Sequence, residues 1–438
     1  MNLAQRDQNT IWHPYTQMKT AAPPIPIIRG EGALLIAEDG KTYVDAVASW
    51  WVNLHGHAHP YIAQKVTEQL QTLEHVIFAG FTHPAAVTFA ERLLQILPDG
   101  QRRIFYSDNG STAVEVALKM AIQYWNNLGE PRKKIIAFRD SYHGDTFGAM
   151  AVSARSAFTA PFWSYLFEVA FIDVPILGRE EETVQQLETL ASAGDIAAFI
   201  YEPLVLGTAG MVMYTPDVLD RLLAICQQHH ILTIADEVMT GFGRTGRSFA
   251  SDYLQRKPDM VCMSKGLTGG TMALGATSAS EKVYNAFLHD DKSKTLFHGH
   301  SYTANPVACA AGLASLDLLL QPQTQESINR IAESHTAFAA SIKVLPGVQE
   351  VRQQGTILAI EFEDGGTSYF SDLRDTLYSF GLDNGVLLRP LGNIIYIIPP
   401  YCITDAQLEQ VYQVIQGMQQ LVTGQNQYPC PNLTMLHD

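Results

Sequence analysis

The chain has 438 residues, of which 47% are hydrophobic and 17% charged, so it can form two or three domains with large cores. Its net charge of −15, without any lysine- or arginine-rich block, argues against a nucleic-acid binder. The sequence has no signal-peptide pattern, and no apolar run approaches the roughly 18 residues of a membrane helix. Its five cysteines form no CxxC pair, and its histidines lack the spacing of zinc ligands. We therefore expect a cytoplasmic globular protein without a metal site.

The N-terminal segment is predicted to contain an irregular arm and a hairpin. Residues 11–16 are aromatic and interrupted by proline, so the arm packs on the body, on a second subunit or on a substrate. Residues 34–37 and 42–44 flank an Asp-Gly turn and predict a β-hairpin. Trp50 and Trp51 are adjacent and would face opposite sides of a strand, so one of them can border a cavity.

From about residue 60, short apolar runs alternate with helical patterns. One helix is predicted at 113–125, and another begins with Thr215 as its N-cap and Pro216 in its first turn. The candidate strands are residues 104–106, 134–138, 168–172, 198–201, 231–235, 260–263 and 274–277. This alternation predicts an α/β domain with a seven-stranded, mostly parallel sheet that is covered by helices on both faces.

After about residue 320 the pattern changes to that of a smaller α+β domain. A long helix is predicted at 323–343, and a last helix begins with a capping box from Thr404 to Gln407. The candidate strands here are residues 348–352, 357–362, 386–388 and 394–398. We expect the N-terminal hairpin to join this domain, so that the chain divides into residues 1–58, 59–320 and 321–438. Residues 425–438 have no clear pattern.

Two polar residues at the ends of neighbouring strands carry the main chemical signal. Asp236 ends one apolar run, and Lys265 follows the next one and precedes several glycines. A lysine can form a Schiff base with the aldehyde of pyridoxal 5'-phosphate (PLP), and a carboxylate can pair with the protonated pyridine nitrogen. Strands also end in Asp or Lys simply where the chain reaches solvent, so the pair alone leaves both interpretations open.

Three further segments suit a planar, phosphorylated cofactor. Gly110, Ser111 and Thr112 begin a helix and offer amides and hydroxyls to a phosphate, although such residues are also ordinary caps. Tyr142 follows another strand in a glycine-containing turn and could stack on a ring. Residues 297–302 form a glycine-centred turn with hydroxyl groups, which again suits a phosphate.

In this order the motifs resemble the class III (ω-type) aminotransferases of PLP fold type I, over residues 12–422. The resemblance is carried by residues 107–111, 142–145, 236–238, 240–246, 264–266 and 298–302. It narrows to the branch of the family that acts in biotin biosynthesis through residues 12–16, 49–51, 143–150, 267–271, 388–392 and 396–401. This branch transfers an amino group from S-adenosylmethionine to 8-amino-7-oxononanoate, giving 7,8-diaminononanoate by a ping-pong mechanism.

The resemblance implies the roles of the cofactor-binding residues. Lys265 is the Schiff-base lysine and moves the proton during catalysis, and Asp236 binds the pyridine nitrogen. Tyr142 stacks on the ring. The residues implied around the phosphate are Gly110, Ser111, His300 and Ser301. Ser301 would come from the second subunit of a homodimer, and His300 departs from the pattern of some close relatives and is kept only as a neighbouring candidate.

The resemblance also implies a substrate pocket. Arg389 would pair with the far carboxylate of 8-amino-7-oxononanoate, because its planar guanidinium matches a carboxylate. The other implied substrate-binding residues are Tyr15, Trp50, Tyr142, Asp145, Arg244, Lys265 and Gly299. Trp51 is interpreted as a core residue, and Glu202 as a residue that orients its neighbours. Met239 replaces a glutamine found in many members, so no polar contact is expected from it.

Several alternatives stay open at this point. Another ω-aminotransferase, acting on a 4-aminobutyrate- or ornithine-like amine, would differ only in its pocket residues. Lysine could replace S-adenosylmethionine as the amino donor. An aminomutase would form its product from a single substrate, and a non-catalytic member would not need the intact Lys265 and Asp236 pair.

Overall fold

The structure is a computed structural model, which describes residues 1–363 and 372–424. The strands within these residues are β1 (Ile27–Glu31), β2 (Leu34–Ala37), β3 (Thr42–Asp45), β4 (Gln101–Ser107), β5 (Lys134–Phe138), β6 (Val169–Ile172), β7 (Ile196–Tyr201), β8 (Val205–Leu206), β9 (Val212–Met213), β10 (Leu232–Asp236), β11 (Met260–Met263), β12 (Gly275–Ser280), β13 (Val348–Gln354), β14 (Ile357–Phe362), β15 (Val386–Leu387) and β16 (Ile394–Ile397).

The α-helices within the same residues are α1 (Leu3–Thr10), α2 (Ala48–Trp51), α3 (Pro60–Thr72), α4 (Pro84–Ile96), α5 (Gly110–Asn127), α6 (Phe147–Ala151), α7 (Glu180–Ala191), α8 (Pro216–Gln228), α9 (Glu281–Asn285), α10 (Pro306–Leu319), α11 (Pro322–Ile342), α12 (Asp372–Asp383) and α13 (Asp405–Val422). The C-terminal residues 425–438, for which the sequence gave no pattern, lie outside the described residues.

The central element is a seven-stranded sheet with the order β4-β12-β11-β10-β7-β5-β6. β12 runs antiparallel to both of its neighbours, and the other adjacent pairs are parallel. The connection from Met263 to Gly275 contains only a 3-10 turn and is too short for a crossover helix, so β12 returns antiparallel. The α/β fold with a mostly parallel sheet is confirmed, and the carboxyl ends of β4, β5, β7, β10 and β11 lie at one edge.

Helices cover both faces of this sheet. Successive residues of β5 belong to different cores, because side chains alternate across a strand: Ile135 packs in the cluster that contains α5, and Ile136 in the cluster that contains α8. All six residues of β7 are buried, as expected for a strand that is covered on both sides. The predicted N-cap Thr215 and the capping box at Thr404 are both present, although Thr215 makes no side-chain cap bond.

The N-terminal hairpin and the C-terminal part of the chain share one sheet. Its order is β1-β2-β3-β15, and β3 pairs in parallel with β15 through Val44 and Val386. A separate antiparallel sheet has the order β13-β14-β16. We propose that residues 1–58 and 321–438 together form the small domain beside the large domain of residues 59–320, a division that the pairing of β3 with β15 supports.

Two local features differ from the sequence predictions. Residues 3–10 form α1, which no apolar pattern predicted and which has no buried residue. The expectation of a strand at Trp50 and Trp51 is wrong, because residues 48–51 form the tight turn α2. Ala48, Ser49 and Trp51 all have positive φ angles there, of 49°, 60° and 65°.

Candidate active site

The active-site residues collect where the strands of the large sheet end. Asp236, the last residue of β10, lies beside Cys262 of the parallel strand β11, and Lys265 follows β11 directly. Tyr142 and His143 follow β5, and Glu202 follows β7. Because the carboxyl ends of parallel strands meet at one edge, residues far apart in sequence border one site. They line a cavity of about 640 Å³.

Lys265 lies in the wall of this cavity and has an unusual backbone and environment. Its φ angle is 45°, a left-handed conformation that is uncommon for residues other than glycine. Its Nζ lies 4.4 Å from the centre of the Trp51 ring. Burial lowers the pKa of the Lys265 ammonium to about 8, against the opposing effect of the Asp236 carboxylate. A lysine with such a pKa can act as both proton acceptor and donor near neutral pH.

Asp236 is held by its own strand end and by a histidine. The side chain is almost fully buried, its Oδ1 accepts a hydrogen bond of 3.1 Å from the amide of Val238, and its Oδ2 lies 2.7 Å from Nδ1 of His143. Nε2 of His143 is buried without a partner among the described residues. The sequence reasoning missed His143, although it follows Tyr142 directly in the turn after β5. This contact fixes the carboxylate at the cavity wall.

The beginning of α5 forms another part of the cavity wall. A capping box between Asn109 and Thr112 closes the first turn of the helix. Gly110 must be small, because a Cβ atom there would lie 2.9 Å from Cγ1 of Val238. Gly144 is pressed against the same turn, since its added Cβ would lie 2.0 Å from Oγ of Ser111. The first turn of α5 therefore packs closely against Val238 and Gly144, and Gly110 and Ser111 line the cavity there.

Glu202 holds the turn that carries Tyr142. Its Oε1 accepts a hydrogen bond of 2.9 Å from the amide of Tyr142, and its Oε2 accepts one of 3.0 Å from the amide of Gly207. Burial raises the pKa of the Glu202 carboxyl to about 7, and the nearby His143 opposes this. Glu202 lines the cavity as well as orienting Tyr142, so it contributes more than its sequence interpretation implied.

A second group of predicted residues lies at the mouth of the site. The Tyr15 hydroxyl donates a hydrogen bond to Oδ2 of Asp145 and lies 3.4 Å from the hydroxyl of Tyr142. The Tyr15 ring lies 5.7 Å from the ring of Trp50. Trp50 in turn packs beneath Arg389, whose Cζ is 4.2 Å from the ring centre. Arg389 is half-buried.

A model of the family described as aminotransferase class III matches residues 15–418. This chain belongs to the class III aminotransferases. It is therefore an enzyme with the type I fold of PLP-dependent transferases, as its sequence motifs predicted. One relative is the adenosylmethionine-8-amino-7-oxononanoate aminotransferase of Synechococcus elongatus, 46% identical over 416 residues that cover 93% of this chain and 98% of the relative. A protein of the same name from Geobacter sulfurreducens is 40% identical over 441 residues, covering 95% of this chain and 97% of that protein.

Solved structures of other transaminases have the same fold as this class III aminotransferase. The adenosylmethionine-8-amino-7-oxononanoate aminotransferase of Methanocaldococcus jannaschii superposes with a TM-score of 0.89 at 33% identity, over 97% of this chain and 99% of that one. The ω-transaminase of Pseudomonas jessenii, solved in complex with PMP, superposes with a TM-score of 0.89 at 25% identity over 97% and 99% of the two chains. No helix in the described part of this aminotransferase has the length and apolar character to cross a membrane.

Seven of the predicted site residues do not line the cavity of the single chain. Three of them, Tyr15, Trp50 and Arg389, form the group described above, and the other four are Arg244, Gly299, His300 and Ser301. Gly299 and Ser301 are exposed and His300 is half-buried. Arg244 is buried, and its guanidinium donates to the carbonyl oxygens of Pro399, at 2.5 Å, and Asn53, at 3.1 Å. Arg244 therefore joins the N-terminal segment to the C-terminal segment. The substrate-binding roles of Arg244 and Gly299 stay predictions.

The interpretation of Trp51 as a core residue is incomplete. Trp51 is buried, and its ring packs 5.8 Å from that of Tyr396, but it also lines the cavity and contacts Lys265. Met239 is a cavity residue too, where it contributes an apolar surface. The only signal for Trp51 was its position beside Trp50, which did not indicate which ring approaches the lysine.

Proposed function

We propose that this class III aminotransferase uses PLP to transfer an amino group from S-adenosylmethionine to 8-amino-7-oxononanoate in biotin biosynthesis. The observation that carries the proposal is that adjacent tryptophans contact two functional groups: Trp51 contacts the desolvated Lys265, and Trp50 contacts Arg389. The lysine suits amine chemistry, and the arginine suits a substrate that carries a carboxylate away from the reacting carbon. The names of the relatives from Synechococcus and Geobacter support the same pair of substrates.

The described residues fit PLP. Three buried polar atoms on residues of the cavity wall, Trp51 Nε1, His143 Nε2 and Thr146 Oγ1, have no partner among the described residues, so the cavity suits a ligand with polar groups. Lys265 would hold the cofactor covalently, Asp236 would pair with its ring nitrogen, and Gly110 with Ser111 would hold its phosphate. Tyr142 would cover the ring. When bound, PLP supplies an aldehyde that exchanges amino groups and a cationic ring that accepts electrons.

Lys265 carries the proton transfer in this proposal. Its pKa of about 8 makes the neutral and charged forms equally populated at pH 8, so Nζ can both accept and return a proton. The Trp51 ring beside Nζ excludes water from one side of the lysine and restricts its motion. His143 keeps the Asp236 carboxylate oriented at the cavity, so that its negative charge is available without side-chain rearrangement.

Arg389 and the residues around it would bind the substrates. Arg389 would form a bidentate pair with the carboxylate of 8-amino-7-oxononanoate, and the Trp50 ring beneath it would hold the guanidinium in place. Tyr15 and Asp145, joined by their hydrogen bond, would close the mouth of the pocket over both substrates in turn. Since both substrates would use one pocket, ping-pong kinetics are expected.

We further propose a homodimer in the cytoplasm. Gly299, His300 and Ser301 do not line the cavity of their own chain, and the neighbouring Phe297 and Tyr302 are 70% and 65% exposed. Large exposed rings beside polar residues are typical of an interface, so Ser301 would reach the phosphate in the other subunit. The four described cysteines are free thiols, which suits a reducing compartment.

A single spectroscopic experiment tests the reaction. The purified enzyme is loaded with PLP, mixed with S-adenosylmethionine alone, and its visible absorption is recorded. The band of the lysine-bound cofactor should disappear, and later addition of 8-amino-7-oxononanoate should restore it. A response to lysine in place of S-adenosylmethionine would keep the acceptor and change the donor. No response to either donor would contradict the proposed function and leave another ω-amine or an aminomutase reaction to be tested.

A further inference from the structure

The tight turn α2 is the least favourable piece of backbone beside the active site. Ser49 has φ 60° and ψ −80°, and Ala48 and Trp51 also have left-handed φ angles. Residues with a Cβ atom avoid these conformations, which persist only where surrounding contacts hold them. No glycine relieves the turn, so its shape must be imposed from outside residues 48–51.

Asp45 supplies these contacts. It ends β3 and is completely buried. Its Oδ1 accepts hydrogen bonds from the amides of Val47, at 3.3 Å, and Ser49, at 2.9 Å. Its Oδ2 accepts from the amide of Ser49 at 2.7 Å and from the hydroxyl of Ser49 at 3.2 Å. The Asp45 carboxylate therefore accepts every hydrogen bond named here, from the amide of Val47 just before the turn and from the amide and hydroxyl of Ser49 within it.

His57 completes this arrangement and fixes the carboxylate. Its Nε2 lies 2.8 Å from Oδ2 of Asp45, and its backbone amide donates to the carbonyl oxygen of Gly32 at 2.7 Å. Nδ1 of His57 lies 3.3 Å from Nδ2 of Asn53, and Gly30 leaves the space that the imidazole needs. The Asp45 carboxylate is thus anchored by a residue outside the turn.

The two tryptophans of the turn contact two different functional residues. Trp51 contacts Lys265, where the chemistry is proposed, and Trp50 contacts Arg389, where the substrate carboxylate would bind. A change in the backbone between these rings would displace both walls at once. We propose that the Asp45 and His57 pair is a positioning device for catalysis, which acts through the Trp50 and Trp51 turn and touches neither substrate nor cofactor.

Direct observation of the tryptophans tests this inference without any assumption about the substrates. The protein has five tryptophans, which can be labelled with 5-fluorotryptophan and assigned by single substitutions to phenylalanine. In Asp45→Asn, the ¹⁹F resonances of Trp50 and Trp51 should shift or broaden, and those of Trp12, Trp125 and Trp163 should stay. Unchanged Trp50 and Trp51 resonances in the folded variant would overturn the proposal.

A matched control separates positioning from general stability. Asp220 is also a buried carboxylate that accepts two backbone amides, from Gln255 and Arg256, at 2.9 Å each, but it does not line the cavity. Asp220→Asn should lower the melting temperature without moving the resonances of Trp50 and Trp51. If both variants lost the same stability and both kept the wild-type ¹⁹F resonances of Trp50 and Trp51, Asp45 would have only a structural role.

Steady-state kinetics provide the second readout. This kinetic test rests on the proposed function, because it uses the proposed substrates. At a temperature where both variants are folded, Asp45→Asn should lower kcat/KM for 8-amino-7-oxononanoate by about ten- to hundredfold, because displacements near 1 Å in an active site cost this much. Asp220→Asn should keep the wild-type value. An inactive wild-type enzyme with this substrate pair would refute the proposed function, whereas a normal kcat/KM in Asp45→Asn would refute the positioning role.

Substitutions of the half-buried His57 cover the case in which Asp45→Asn does not fold. His57→Leu removes the anchor, and His57→Gln keeps a donor that can reach the carboxylate. His57→Leu should shift the resonances of Trp50 and Trp51 and lower kcat/KM, and His57→Gln should recover most of both. Equal behaviour of the two variants would contradict a role for the hydrogen bond between His57 and Asp45.

Discussion

Replacement of the catalytic lysine should stabilise the cofactor-free protein. Burial lowers the pKa of Lys265 from its ordinary value of 10.5 to about 8, so the folded protein pays for keeping this ammonium charged at pH 7. At about 1.4 kcal/mol per pH unit, the difference corresponds to about 3 kcal/mol of unfolding free energy. Lys265→Met removes this penalty but also the cation–π contact with Trp51, which offsets about 1 kcal/mol. We expect a net gain of about 2 kcal/mol at pH 7.

The pH dependence of this gain in stability shows whether it comes from the lowered pKa of Lys265. The folded pKa lies below the unfolded one, so the penalty is complete below pH 8 and disappears as the pH rises from 8 to 10.5. The advantage of Lys265→Met should therefore shrink over this interval. Urea unfolding of the cofactor-free proteins at several pH values measures this advantage, with Lys343→Met, at an exposed lysine, as the matched substitution. An advantage that is absent at pH 7, or that grows with pH, would refute the reasoning.

Three further predictions concern single residues of the site. Asp236→Asn should lower kcat by about a hundredfold or more, because a neutral amide cannot balance a cationic ring; a loss below tenfold in steady-state assays would contradict this. Gly144→Ala should destabilise the protein by about 3 kcal/mol, since the Cβ meets Ser111 and φ is 129°; an unchanged melting temperature would be incompatible with it. Arg389→Lys should raise KM for 8-amino-7-oxononanoate about tenfold through loss of the bidentate geometry, and an unchanged KM would remove Arg389 from carboxylate binding.

The regular elements were predictable because their signals are local. The apolar runs that end at Asp236 and before Lys265 mark β10 and β11, and parallel pairing then places both residues at one sheet edge. The capping residues of α13 and the resemblance to class III aminotransferases were also readable from consecutive residues. Elements of this kind depend on interactions within a few residues of each other, so one sequence contains enough information to place them.

The turn at Trp50 and Trp51 was not predictable for the opposite reason. Its left-handed residues carry ordinary side chains, and the contacts that impose the shape come from Asp45 and His57 on either side of it. His143 was missed because its partner, Asp236, is 93 residues away in sequence. Arg244 has no local signal that separates a substrate-binding arginine from one that joins Asn53 to Pro399. Such relations become visible only when the sheet has brought the segments together.

The pairing of β3 with β15 has a consequence for the order in which the enzyme is completed during synthesis. The large sheet and Lys265 can assemble once the chain has emerged beyond β12 at residue 280. β3, which leads directly into the Trp50 turn, pairs with β2 early but lacks its second neighbour, β15, until Val386 is made, only a few residues before Arg389. A ribosome-bound chain can thus form most of its large sheet early, whereas the turn that reaches both Lys265 and Arg389 gains the support of β15 only after Val386 has been synthesised. The walls around both groups are therefore completed late in synthesis.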